Sequence, residues 1–109
     1  MPAISVIMPV FNTRKYVGKA IQSILSQTFS DFEFFIVDNG STDGSGAVID
    51  AFADKDERIS VIRFGKNKLI SEARNAALEK VSGEYLCLID SDDWVLPDMF
   101  IKLSSLPPS

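Results

Sequence analysis

The sequence predicts a three-layer α/β/α domain on a mostly parallel sheet. Two observations carry this. Short, continuous apolar runs recur at residues 4–8, 32–37, 59–64 and 85–89, the pattern of strands buried on both faces. Between them lie longer segments whose apolar residues fall at helical spacing. Strands alternating with helices imply crossovers, a parallel sheet covered on both sides, and right-handed connections. The 109 residues form one domain, 1–109.

Each element has its own signal. The first strand, residues 4–8, stops at Pro9, which cannot donate to a central ladder. Tyr16, Val17, Ala20, Ile21, Ile24 and Leu25 make one face of a helix, with Asn12 or Thr13 as N-cap. The second strand, residues 32–37, leads into the polar loop Asp38-Asn39-Gly40-Ser41-Thr42-Asp43-Gly44. A second amphipathic helix covers 47–53, and the third strand is 59–64. The third helix spans 69–81, with Ser71 as a candidate cap and Gly83 just past its end as a C′ residue. The fourth strand, 85–89, runs into an acidic loop, and Pro97 opens a last short helix. Phe32, Phe34 and Phe35 read as core, and Cys87 as an inert core thiol.

Composition narrows the function. A net charge of −4 disfavours nonspecific nucleic-acid binding, so no nucleic-acid partner is expected. The same charge opposes binding of a bare diphosphate unless a cation intervenes. A single cysteine excludes an intrachain disulfide and fits a reducing compartment. No histidine is present, which removes the commonest general base and zinc ligand. No secretory signal or membrane-spanning stretch is seen, and a cytoplasmic protein, peripheral at the cytoplasmic membrane face, is expected.

Ligands of open parallel sheets bind outside the strand carboxyl ends. There the sequence places Pro9, Val10, Phe11 and Asn12, then Asp38, then Asp90, Ser91, Asp92 and Asp93. The apolar group can hold a base, and the acids a ribose and a metal. In an extended Asp90-Ser91-Asp92 both carboxylates project to one side. Carboxylates so clustered repel unless a cation compensates, and Mg²⁺ or Mn²⁺ suits such oxygen ligands. The same residues also read as a solvated acidic turn before Pro97. Asp38 can accept from a pyrimidine N–H, or can form an Asx turn or helix cap. Arg74 can reach a nucleotide, or pair with Glu72 or Glu79. Trp94 reads as a packing anchor. Glycine loops of the Walker or dinucleotide type are absent.

Taken in order, these segments resemble the family 2 glycosyltransferases of GT-A fold. Ser5-Val6-Ile7-Met8-Pro9-Val10-Phe11-Asn12 is similar to the family's opening strand. Ser26-Gln27-Thr28-Phe29 resembles its Gln-Thr turn, and the segment from Ile36 to Ser45 its Val-Asp-Asp-Gly-Ser-Thr-Asp loop. Ala73-Arg74-Asn75 and Gly83-Glu84-Tyr85 followed by Asp90-Ser91-Asp92-Asp93-Trp94 resemble its later motifs. The resemblance implies a Rossmann-like nucleotide-binding half and an inverting transferase. Its donor would be a nucleotide-diphospho-sugar, a UDP-sugar for preference, and its acceptor a saccharide or lipid-linked hydroxyl, as in cell-surface polysaccharide assembly. It implies that Pro9, Val10 and Phe11 line the base pocket, that Asp38 contacts the base and that Arg74 lies near the nucleotide. Asp90, with Ser91, would face the ribose or donor sugar, and Asp92 would hold Mn²⁺ or Mg²⁺.

Three local departures stand out: Asn39 where a second Asp is usual, Leu69 where a Gly is common, and Phe11 for Tyr. Family members continue well past the metal motif, whereas about sixteen residues follow Asp93 here. The general base is therefore expected beyond residue 109, since Asp98 falls at a helix start. The chain is expected to be catalytically incomplete, and a nucleotide- and metal-binding module is the alternative. A sheet cut short is expected to dimerise or to expose an apolar patch.

Overall fold

The structure is a computed structural model that describes residues 3–83 and 85–91. Asp92, Asp93, Trp94, Asp98 and the helix expected from Pro97 lie outside these residues. Four strands, β1 (Ile4–Val10), β2 (Phe32–Asn39), β3 (Ile59–Phe64) and β4 (Tyr85–Leu88), alternate with three helices, α1 (Arg14–Leu25), α2 (Ser45–Ala53) and α3 (Ile70–Leu78). The strand order is β3-β2-β1-β4, and every pairing among the described residues is parallel.

Side-chain alternation divides the strands between two cores. Val6, Met8, Val10, Phe34 and Ile36 meet Val17, Ile21 and Ile24 of α1 and Ile49 of α2 on one face. Ile7, Phe35 and Val37 meet Ala73 and Ala77 of α3 on the other. The three expected layers are present, and the Phe32, Phe34 and Phe35 group is core as expected, although split between the faces. Each large apolar side chain buried this way contributes roughly 1.5–3 kcal/mol. Cys87 packs half-buried against the first core, and burial pushes its thiol pKa up.

The chain moves from β1 to β2 to β3 with α1 and α2 on the first face. It then returns past β1 to β4 with α3 on the second. Opposite travel on opposite faces is what one crossover hand requires. The reversal leaves a switch point between β1 and β4, where open α/β sheets bind ligands.

Several boundaries differ from the sequence reading. β1 continues through Pro9, which pairs opposite Val37. Ile4 N–H donates to the Asp31 carbonyl on the β2 side, and alternate residues face opposite neighbours. The Pro9 nitrogen therefore faces β4, whose pairing has already ended at Leu88 opposite Ile7, and no donor is needed there. At α1, Thr13 occupies the N-cap position without a side-chain capping bond. At α3 the N-cap is Leu69, with Ser71 inside the helix, and the last helical residue is Leu78 rather than residue 81. The final turn tightens as Lys80 N–H bonds the Ala77 carbonyl, and Val81 packs on the second core.

Gly83 is not a helix terminator. A Cβ there would lie 2.7 Å from Ser5 N and 2.8 Å from the Ile4 carbonyl carbon, so glycine is required by close approach to β1. Its N–H donates to Ser5 Oγ at 2.8 Å. The Ser5 hydroxyl donates in turn to Glu33, which also accepts from Ser82 N–H at 2.7 Å. Burial, the largest single influence on Glu33, raises its pKa. Hydrogen bonds from Ser5, Ser82 and Gly83 together hold it below 4.5. On β4, Leu86 and Leu88 leave about half their surface exposed, at 48% and 49%.

Two outcomes follow. Gly83→Ala is expected to cost about 1–3 kcal/mol in denaturant unfolding, whereas Gly65→Ala, with nothing within 4 Å of its added methyl, shifts the midpoint far less. Because the folded-state pKa of Glu33 is depressed, its contribution is present above pH 4.5 and disappears as pH falls through the lower folded value. Glu33→Gln should flatten this acid limb of the stability curve, and an unchanged limb would contradict the network.

Candidate functional site

At the switch point a hollow of about 250 Å³ opens. Pro9, Val10 and Phe11 form one wall, Thr13 and Asn39 another, and Asp90 and Ser91 the side beyond β4. Phe11 is 45% exposed, an apolar residue left at the rim rather than taken into the core. Asp90 is exposed, while Ile89 before it and Ser91 after it are buried, so strand-like alternation continues past β4. Ile89 N–H still bonds the Ile7 carbonyl at 3.0 Å.

Alternation spreads the candidates over both faces of the sheet. Pro9, Asn39 and Asp90 fall on the face that α3 covers, and Asp38 on the opposite face. Asp38 was grouped with Pro9, Val10 and Phe11 by sequence, yet it does not line their hollow. Its Oδ2 accepts from Arg63 Nε at 3.1 Å and its Oδ1 from Ser41 N–H at 3.1 Å. It sits instead in a separate open depression of about 470 Å³ with Arg63 and Asp50. The turn-forming alternative for Asp38 is thus realised, with an ion pair added between the buried carboxylate and the exposed Arg63. Arg63, which also bonds Asp50 at 2.9 Å, carried no sequence signal.

Asn39 takes the place at the hollow. Its Oδ1 accepts from Lys68 N–H at 2.8 Å and its Nδ2 donates to the Lys68 carbonyl at 3.0 Å. The carboxamide thereby exchanges both bonds with a single residue, as a hydrogen-bonded antiparallel pair does, and clamps the 65–69 loop. Gly40 makes room for the clamp: its φ is +77° and a Cβ would lie 2.6 Å from Asn67 N. Arg74 of α3 does not line the hollow. Its Nε is shielded from water and has no partner among the described residues.

The loops after β1 and β2 are laced together. Asn12, at φ +51°, donates its N–H to Ser41 Oγ and accepts from Thr42 N–H at 2.8 Å. Asp43 serves two helices: Oδ2 accepts from Arg14 N–H at the start of α1, and Oδ1 from Ser45 N–H and Oγ at the start of α2. The Ser45 hydroxyl bond, then those from backbone N–H groups, hold its pKa below 3.8. Thr13 Oγ1 and Ser91 Oγ lie 2.7 Å apart, joining α1 to the acidic segment.

The oxygen-only donor chemistry here fits a hard divalent cation. Asp90 is the described carboxylate at the hollow; the described residues contain no cluster of three metal-binding side chains, and Asp92 lies outside them.

The sequence matches the model of Glycosyl transferase family 2 over residues 5–105. The chain belongs to this family. A glycosyltransferase of Haemophilus influenzae is 40% identical over 102 residues, covering 94% of this chain and 41% of the relative. The teichuronic acid biosynthesis glycosyltransferase TuaG of Bacillus subtilis, itself a putative assignment, is 40% identical over 92 residues, covering 84% of this chain and 36% of TuaG. S. aureus TarS in complex with UDP-GlcNAc superposes with a TM-score of 0.88 at 28% identity, covering 94% of this chain and 30% of TarS. This family 2 chain thus spans well under half the length of these relatives, and its fold is the GT-A type.

Asn39→Asp tests the clamp in this family 2 domain. A carboxylate still accepts from Lys68 N–H but faces the Lys68 carbonyl without a donor. A loss of about 1–3 kcal/mol is expected at pH 7. The deficit relative to wild type should shrink as pH falls and the acid regains a donor. A pH-independent deficit in paired unfolding curves would refute the two-bond clamp.

Proposed function

We propose that the chain forms the donor-binding part of an inverting glycosyltransferase that uses a nucleotide-diphospho-sugar, a UDP-sugar for preference, in cell-surface polysaccharide assembly. One observation carries this reading: an exposed aromatic wall, Phe11 beside Pro9 and Val10, faces Asp90 across a hollow at the sheet's switch point. The apolar wall suits the flat face of a base. Asn39 stands where a base edge would lie and keeps an accepting lone pair and one amide hydrogen beyond those Lys68 engages. Asp90 can accept from ribose or sugar hydroxyls. The shielded Arg74 Nε is a donor in want of an acceptor. Asp92, with Asp90, would hold Mn²⁺ or Mg²⁺, which when bound offsets diphosphate charge and stabilises the leaving group. TarS, with its UDP-GlcNAc complex, lends support to the choice of donor, and TuaG to the class of pathway. The acceptor is read as a saccharide or lipid-linked hydroxyl, and the location as cytoplasmic, peripheral at the membrane face.

A second reading is a module that holds nucleotide and metal without transfer. One feature favours it: among the described residues Asp90 is the sole carboxylate lining the hollow, so a base for the acceptor is not at hand there. Transfer of sugar by the 109-residue chain would exclude the module.

Calorimetric titration with UDP and GDP, with and without Mn²⁺, tests the donor site. UDP with Mn²⁺ should bind tightest, and Asp90→Ala and Asp92→Ala should each weaken it by tenfold or more, on the order of 1.4 kcal/mol. Equal binding without metal, or no effect of either substitution, would remove the metal-assisted reading.

A further inference from the structure

Thr13 presents a puzzle at the start of α1. It occupies the N-cap position, where a threonine hydroxyl ordinarily accepts from a backbone N–H of the first turn, yet it makes no such bond. Other acceptors serve the first turn: Asp43 Oδ2 takes Arg14 N–H at 3.0 Å from the neighbouring loop, and the Thr13 carbonyl takes Tyr16 N–H at 2.8 Å. The Thr13 hydroxyl is left free to cross the hollow and bond Ser91 Oγ at 2.7 Å, 78 residues away. Ser91 is only 5% exposed, so this side chain is turned into the protein while Asp90 before it is turned out.

We infer that Thr13 is a positioning residue for the acidic segment: through Ser91 it fixes how the chain leaves β4 and so which way Asp90 faces the hollow. This rests on the metal-assisted reading of the site given above. Backbone pairing alone does not fix that direction. The last ladder bond is Ile89 N–H to the Ile7 carbonyl, and the turn at Ser91 lies beyond it. Burial of Ile89 in the first core holds the strand just before the turn. The hydroxyl pair holds it just after. Between the two, Asp90 is held from both sides, which is the geometry an oxygen ligand needs if its own rotational freedom is not to be lost on binding.

The test uses the full 109-residue chain and a ratio, UDP affinity with Mn²⁺ over UDP affinity without it, measured calorimetrically. Thr13→Val keeps the shape and removes the hydroxyl; the ratio is expected to fall about three- to tenfold, the worth of one hydrogen bond. Thr13→Ser restores a hydroxyl and should restore the ratio. Ser91→Ala should lower it to a similar degree, and the double variant should be no worse than either single one. A Thr13→Val ratio equal to wild type, equal losses in Thr13→Val and Thr13→Ser, or additive losses in the double variant would each overturn the inference while leaving the metal-assisted site standing. A wild-type ratio of one would overturn the reading of the site, and the positioning role with it. Should Thr13→Val fail to fold, the Ser91→Ala and Thr13→Ser ratios decide in the same way.

Discussion

The site depends on the unequal length of two ladders on one strand. β1 pairs with β2 as far as Val10 but with β4 only as far as Ile7. Past Ile7, among the described residues, the strand is paired on one side and borders the hollow on the other. That difference in pairing is the hollow, and Pro9 sits within it because its missing donor faces the open side. Sheets that reverse direction at a central strand create such a crevice by topology alone. Here the early end of β4 widens it and leaves Phe11 at its rim.

Polar groups around the crevice are mostly committed to one another. Asn39 is used on both ends of its amide by Lys68, and Asp38 is used by Ser41 and Arg63. Asn12 ties the loop after β1 to the loop after β2. In a small domain with acidic composition, fixing these groups limits the reorganisation a charged ligand would demand. The groups without a described protein partner, the Phe11 face and the shielded Arg74 Nε, then stand out as the places where a ligand could gain most.

Layers and the alternation of strands with helices were legible because they follow from apolar periodicity. The run at residues 59–64 gave β3 to the residue, and Val17, Ala20, Ile21 and Ile24 are buried as their spacing required. Pro9 misled because its penalty applies only where a donor is wanted, which depends on where β4 ends. Where Asp38 sits was likewise not legible: it joins Arg63 and Asp50 in a separate depression, although Val10, opposite it in the ladder, lines the hollow. Its neighbour Asn39, noted only as a substitution in a family pattern, is the residue that reaches the hollow. Arg63 lay on β3 with no local cue, since its partners Asp38 and Asp50 are brought together only by the sheet and α2. Asp43 was seen only as part of a polar loop: the second helix starts at Ser45 rather than 47, and that the two carboxylate oxygens serve two helix starts is again a tertiary fact.

That shared carboxylate has a consequence for how the protein breathes. Helix ends normally fray one by one, each with its own small opening free energy. Here the first turns of α1 and α2 close on opposite oxygens of Asp43. Releasing the carboxylate frees the first amide of both helices at once, while Asn12 still ties the two loops. The amide hydrogens of Arg14 and Ser45 thereby share one acceptor side chain, and with it one gate to solvent.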